Sequence, residues 1–195
     1  MTSFGSDKGA ERHNYTTLYS KLFYPWKNEK IHLFELGIGT NNTNVASNMG
    51  REGQPGASLY GWALFFPKAT IYGADIDERI LFKDENIKTF YCDQQDTASI
   101  QKLFSQPELK DIQFDIMIED GLHEFEAQLN FLRNSLSQLR KGGIYIAEDL
   151  TPSSQLAFLE ILPVLKKLYD LEYMDVINLP FRLNRYDNTL LVIQK

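Results

Sequence analysis

Short apolar runs rich in β-branched and aromatic residues recur along this chain, most of them separated by helical patterns. Ile31–Leu36 (IHLFEL), Thr70–Ile76 (TIYGADI), Ile87–Cys92 (IKTFYC), Phe114–Ile118 (FDIMI) and Gly143–Ala147 (GIYIA) are each five to seven residues long. Runs of that length and composition read as strands buried on both faces, which is how parallel sheets are built. Between them, Glu124–Leu139 carries Phe125, Leu129, Leu132, Leu136 and Leu139 at spacings of 4, 3, 4 and 3, one apolar stripe of a helix that Gly142 and Gly143 would stop. Ser58–Phe66 and Ser154–Leu168 read as further helices, the latter kinked at Pro163. Near the end, Tyr173–Leu179 and Thr189–Ile193 flank a polar, turn-prone stretch, Asn184–Asn188. That gap is too short for a parallel crossover, so these two strands must be antiparallel. The expected fold is α/β: a doubly wound, mostly parallel, seven-stranded Rossmann-like sheet with an antiparallel carboxy-terminal hairpin.

The length of 195 residues suits one domain, 1–195. With 20 Lys+Arg against 26 Asp+Glu, the chain is not expected to serve nucleic acid or an anionic membrane, but it has room for a cation. A single cysteine, Cys92, excludes an internal disulfide and reads as a small buried hydrophobe. The polar start and the lack of an apolar stretch near ~20 residues point to a cytoplasmic protein without a targeting or spanning segment.

Ligands of such sheets bind beyond the carboxyl ends of the strands. The first strand ends in Glu35-Leu36-Gly37-Ile38-Gly39, where glycine allows a tight turn and close approach of a ligand. The second ends in Asp75-Ile76-Asp77, placing a carboxylate for ribose hydroxyls, and the third in Cys92-Asp93-Gln94, placed for an adenine edge. A dinucleotide fits poorly: Asn42 breaks the G-x-G-x-x-G string, Asp75 follows Gly39 at more than the usual ~20 residues, and there is no G-x-x-x-x-G-K-[ST]. A nucleoside without phosphates fits better, S-adenosylmethionine foremost.

The fourth strand runs into Glu119-Asp120-Gly121-Leu122-His123 and the fifth into Glu148-Asp149. Adjacent strand ends would bring Asp120, Glu148 and Asp149 together. Like charges that close call for a hard cation, and carboxylates with water suit magnesium. Both neighbours Glu148 and Asp149 can ligate only if the chain turns there. His123 is the expected general base. His32 reads as a core or edge histidine, the aromatic group Tyr15, Tyr19, Phe23, Tyr24 and Trp26 as packing, and Arg182 and Arg185 as solvated.

The strings SDKGAERHNYTTLYSKLF, FELGIGTNN, GASLYGWALFFPKATIYGADID, FDIMIEDGLHE and GGIYIAEDL, spanning Ser6 to Leu150, resemble class I S-adenosylmethionine-dependent methyltransferases. More narrowly, they resemble the metal-dependent O-methyltransferases of macrolide sugars. The resemblance implies magnesium on Asp120, Glu148 and Asp149, His123 as base with Asp120 in the catalytic pair, and the G-x-G loop around the methionine part of the cofactor. It implies an amino-terminal arm, 1–28, that closes over the cofactor and makes Asp7, Lys8, His13 and Tyr15 candidates. The cofactor set on this reading is Lys8, Tyr15, Glu35, Gly37, Gly39, Ser58, Asp75, Asp93, Gln94 and Glu119. The chain departs from the subgroup in Glu119, where Asp is common, in Leu122, where a small polar residue is common, and in showing no further amino-terminal domain.

The expected function is transfer of methyl to a hydroxyl of a small polar acceptor such as a sugar, a glycoside or a secondary metabolite, in antibiotic or polysaccharide pathways. The expected partners are that acceptor, no nucleic acid and no membrane, with a homo-oligomer left open. Two other readings stand beside it: a short-chain NAD(P) oxidoreductase, although no Tyr-x-x-x-Lys pair follows the fourth strand, and a non-catalytic cofactor-binding partner subunit.

Overall fold

A computed structural model describes residues 1–9, 12–179, 183–184 and 186–195. Strands β1 (His32–Leu36), β2 (Thr70–Asp75), β3 (Ile87–Tyr91), β4 (Phe114–Glu119), β5 (Leu139–Ala147), β6 (Tyr173–Asn178) and β7 (Thr189–Gln194) form one sheet in the order β3-β2-β1-β4-β5-β7-β6. The first five are parallel, and β7 runs antiparallel between β5 and β6. The doubly wound sheet and its carboxy-terminal hairpin are as expected from the sequence.

Side chains alternate between the two faces, as the strand period demands. Phe34, Leu36, Tyr72, Met117 and Tyr145 join one core with helices α3 (Thr97–Phe104), α4 (Phe125–Ser135) and α5 (Pro152–Leu168). Leu33, Ile71, Ile116, Ile118 and Ile146 join the other with α1 (Tyr15–Phe23) and α2 (Ala57–Phe65). Tyr15, Tyr19 and Phe23 are buried at successive i, i+4 positions, so α1 presents one aromatic stripe to the sheet. The expected aromatic packing is thus a helix. No helix of the described residues is long and apolar enough to cross a membrane.

Three elements differ from the sequence reading. The helix expected to run to Leu139 ends at Ser135 and passes through a 3₁₀ turn, Leu136–Gln138, into β5. Leu139 continues the helical stripe in spacing, yet it pairs with Phe114 as the first residue of the strand. Gly142 and Gly143 therefore lie inside β5. Gly142 takes φ +73° and donates to the Lys195 carbonyl at 2.5 Å, an arrangement that uses its freedom within a strand and not at a helix end. Helix α3 was not foreseen. It is eight residues long, capped by Asp96 accepting from the Ala98 N–H, and it supplies the crossover that joins parallel β3 and β4. The last helix begins at Pro152, two residues before the expected Ser154, and includes Pro163, with Thr151 as its cap.

Candidate active site

The strand order reverses at β1, which pairs with β2 on one side and β4 on the other. Backbone bonding continues one step past the strand ends: Gly37 N–H donates to Ala74 O, Asp120 N–H to Leu36 O and Glu148 N–H to Glu119 O, each at 2.8 Å. Gly37, Asp120 and Glu148 therefore leave the sheet side by side. Gly37 has φ +82°, and a Cβ there would overlap the Asp120 carbonyl, so this junction accepts only glycine.

Above this edge lies a cavity of about 760 Å³, within the usual range of small-molecule sites. Of the residues singled out in the sequence, Asp7, Lys8, Gly37, Gly39, Ser58, Asp75, Asp93, Gln94, Asp120, His123 and Asp149 line it. Tyr15, Glu35, Glu119 and Glu148 are buried but are not part of its lining.

On the nucleoside side, Asp75 Oδ2 accepts from the Ile38 N–H and Oδ1 from the Asp77 N–H, both at 3.0 Å. These bonds fix the carboxylate and leave lone pairs for a ligand. Burial raises its pKa against those same backbone bonds. Gln94 spans to the fourth strand end: its Nε2 donates to Glu119 at 3.0 Å and its Oε1 accepts from the Leu122 N–H at 2.6 Å. Glu119 also accepts from the Gly121 N–H at 3.1 Å, and burial pushes it up to about 7. Gln94 and Glu119 thus shape the loop that carries Asp120 and His123.

On the acidic side, the Lys8 ammonium bonds Asp120 Oδ2, sits 2.7 Å from Glu148 Oε2 and 3.4 Å from Glu35 Oε1. Burial would lower Lys8, but Asp120, Glu148 and Glu35 outweigh it and hold the charge on. Burial would likewise raise Asp120, but Lys8 and the His123 bond bring it down to about 2. Asp149 stands at φ +53°, so the chain turns between two successive carboxylates, as joint ligation would require. Burial and the Asp120 charge raise Asp149 to about 6.

His123 Nε2 is 3.2 Å from Asp120 Oδ1, and its Nδ1 is 3.3 Å from Ser47 Oγ and 3.7 Å from Asp149 Oδ2. Burial lowers the imidazole, yet the Asp120 bond and the Asp149 charge outweigh it and raise it to about 10. Asp120, His123 and Asp149 each offer a ligand atom within 4.8 Å of the others, as do His13, Asp149 and Asp187. Glu148 is turned away, with Oε1 accepting from Tyr19 at 2.6 Å and Oε2 facing Lys8.

The sequence reading missed Tyr19, Trp62 and Ser47 as polar contributors. Trp62 Nε1 donates to Glu35 at 2.6 Å. A buried tyrosine or tryptophan needs a partner for its polar tip, and that was the available signal for the first two. Ser47 lies in a non-glycine left-handed conformation, φ +57°, that nothing local announces. His32 meets Tyr72 at 3.3 Å, and Cys92 is buried, as expected. Arg182 and Arg185 lie outside the described residues.

A methyltransferase, MycE of the mycinamycin pathway, solved in complex with Mg, SAH and mycinamycin VI, superposes on 99% of this chain with a TM-score of 0.73 at 21% identity. The chain has the class I methyltransferase fold. No protein-family model matches it. By sequence, this methyltransferase-fold chain is similar to the 8-demethyl-8-α-L-rhamnosyl tetracenomycin-C 2′-O-methyltransferase of Streptomyces olivaceus, 30% identical over 156 residues, 79% of this chain and 37% of the relative. It is similar to the demethylmacrocin O-methyltransferase of Streptomyces fradiae, 30% identical over 73% of this chain and 33% of the relative. The mycinamicin VI 2″-O-methyltransferase of Micromonospora griseorubida is 28% identical over 71% of this chain and 32% of the relative. The matched part is about a third of each curated relative, and the chain spans 52% of MycE.

Proposed function

We propose that this chain is an S-adenosylmethionine-dependent O-methyltransferase that uses a divalent cation and acts on a hydroxyl of a small polar acceptor, a sugar unit first among them. One observation carries the reading: a buried carboxylate suited to ribose, Asp75, and the Asp120–His123–Asp149 group line the same cavity. The relatives named above, sugar O-methyltransferases among them, support it, as does a structural neighbour that holds Mg and SAH.

The residues present fit both groups. Asp75 offers lone pairs to the ribose, and the glycine turn Gly37–Gly39 lets the amino-acid end of the cofactor approach the backbone. Asp120 and Asp149 bring hard carboxylate oxygens within 4.8 Å of the His123 ring nitrogen, with Glu148 beside them on Lys8 and Tyr19, a donor set that suits a hard cation. When bound, the cation supplies Lewis acidity that lowers the pKa of the acceptor hydroxyl, and S-adenosylmethionine supplies the methyl. The chain itself orients the acceptor and provides His123 to take up the acceptor proton once the charges of Asp120 and Asp149 are offset.

Calorimetry tests the reading. S-adenosylhomocysteine should bind and NADH should not; the reverse would favour the oxidoreductase. Protein stripped with EDTA should lose methyl transfer to rhamnoside or related glycoside acceptors and regain it with Mg²⁺. Full transfer by stringently metal-free protein would remove the cation from the reading. Tight S-adenosylhomocysteine binding without any methyl transfer, across a broad acceptor panel, would favour the non-catalytic subunit.

A further inference from the structure

Tyr15 and Tyr19 lie one turn apart on α1, both almost wholly buried. Their hydroxyls reach successive residues of the fifth strand end: Tyr15 bonds Asp149 Oδ1, and Tyr19 donates to Glu148 Oε1 at 2.6 Å. The match follows from two periods. Residues i and i+4 of a helix share a face. Successive carboxylates would point apart along a strand, but the left-handed turn at Asp149 keeps both within reach of that face. Lys8, seven residues before Tyr15, completes the arrangement on Glu148 Oε2 and Asp120 Oδ2. Tyr15 also faces the Asp187 carbonyl at 3.1 Å and stacks on His13 with ring centroids 4.7 Å apart, so its ring cannot swing away freely.

We propose that Tyr15 and Tyr19 are positioning residues for the divalent cation: Tyr15 fixes the Asp149 carboxylate on the ion's side, Tyr19 with Lys8 anchors Glu148 behind it so that the turn into Asp149 is held, and the segment before β1 is part of the ion site. This differs from the expectation that Tyr15 belongs to the cofactor-binding set. It rests on the proposed cation-dependent function. Partners that orient metal ligands typically contribute about 10–100-fold in metal affinity.

The test is Mn²⁺ binding to Tyr15→Phe and Tyr19→Phe, by titration calorimetry or by the loss of free-ion EPR signal. Each exchange removes one oxygen and keeps the ring. S-adenosylhomocysteine affinity and the melting temperature are measured in parallel. The expected result is about 10–100-fold weaker Mn²⁺ binding with S-adenosylhomocysteine affinity within twofold of the parent. Mn²⁺ affinity unchanged in both variants would overturn the inference while leaving the proposed function standing. Equal losses of Mn²⁺ and S-adenosylhomocysteine affinity with a lower melting temperature would also overturn it, because the tyrosines would then be merely structural. A parent protein that binds no Mn²⁺ would overturn the cation-dependent reading itself, and this inference with it.

Discussion

The Nζ of Lys8 lies 2.7 Å from Oε2 of Glu148, 140 residues further along the chain. That contact joins the segment before α1 to the end of the fifth strand, and it does so with a lysine that is only 1% exposed. A buried ammonium persists only where it is paired, and Lys8 has three carboxylates around it. The amino-terminal segment is therefore a wall of the acidic site and not a tail beside it.

Asp75→Asn should weaken S-adenosylhomocysteine binding by about 10–100-fold, the usual worth of hydrogen bonds to a charged acceptor. The amide keeps the shape but replaces one acceptor oxygen with a donor that faces the Ile38 or Asp77 N–H. Calorimetry checks this, and an affinity within twofold of the parent would remove Asp75 from the cofactor site.

Gly37→Ala and Gly50→Ala form a matched pair. Both glycines have positive φ, +82° and +75°, but a Cβ at Gly37 would overlap the Asp120 carbonyl and one at Gly50 meets nothing within 4 Å. Gly50→Ala should cost only the backbone penalty, about 1–2 kcal/mol. Gly37→Ala should cost clearly more, with each further kcal/mol lowering the melting temperature by about 2–4 °C in a chain of this size. Equal melting temperatures for the two variants would show that the Gly37 junction relaxes without strain.

Burial raises the Cys92 thiol from 9.0 to about 12. The sign follows from linkage: the folded state keeps its proton while the unfolded thiol loses it, so stability from this group is intact below pH 9 and falls as pH rises towards 12. Denaturant titrations at pH 8 and pH 10 should show a smaller loss of stability in Cys92→Ala than in the parent. Native protein at pH 8 should also resist a thiol reagent that reacts at once after unfolding. Rapid labelling of the native state would contradict the buried, protonated thiol.

Much of the sheet was legible because its strands are short apolar runs that end in charged residues or glycine. The Glu35-Leu36-Gly37, Asp75-Ile76-Asp77 and Glu119-Asp120 junctions announce both the end of a strand and a candidate site. Helix α3 escaped notice because Ile100, Leu103 and Phe104 make too short a stripe to stand out. The end of α4 was misplaced because Leu139 satisfies the helical period and the strand start equally well, and only pairing with Phe114 decides between them.

The sequence by itself determined that a parallel sheet would bring Asp75, Asp120, His123, Glu148 and Asp149 to one edge, because strand direction and connection length allow little else. Which way each carboxylate faces was decided only by tertiary structure. Asp120 and Asp149 point into the cavity with His123, while Glu148 turns back to Lys8 and Tyr19. That choice depends on a left-handed turn at Asp149 and on partners more than 100 residues away, whose positions exist only once α1 has packed its aromatic stripe against the sheet.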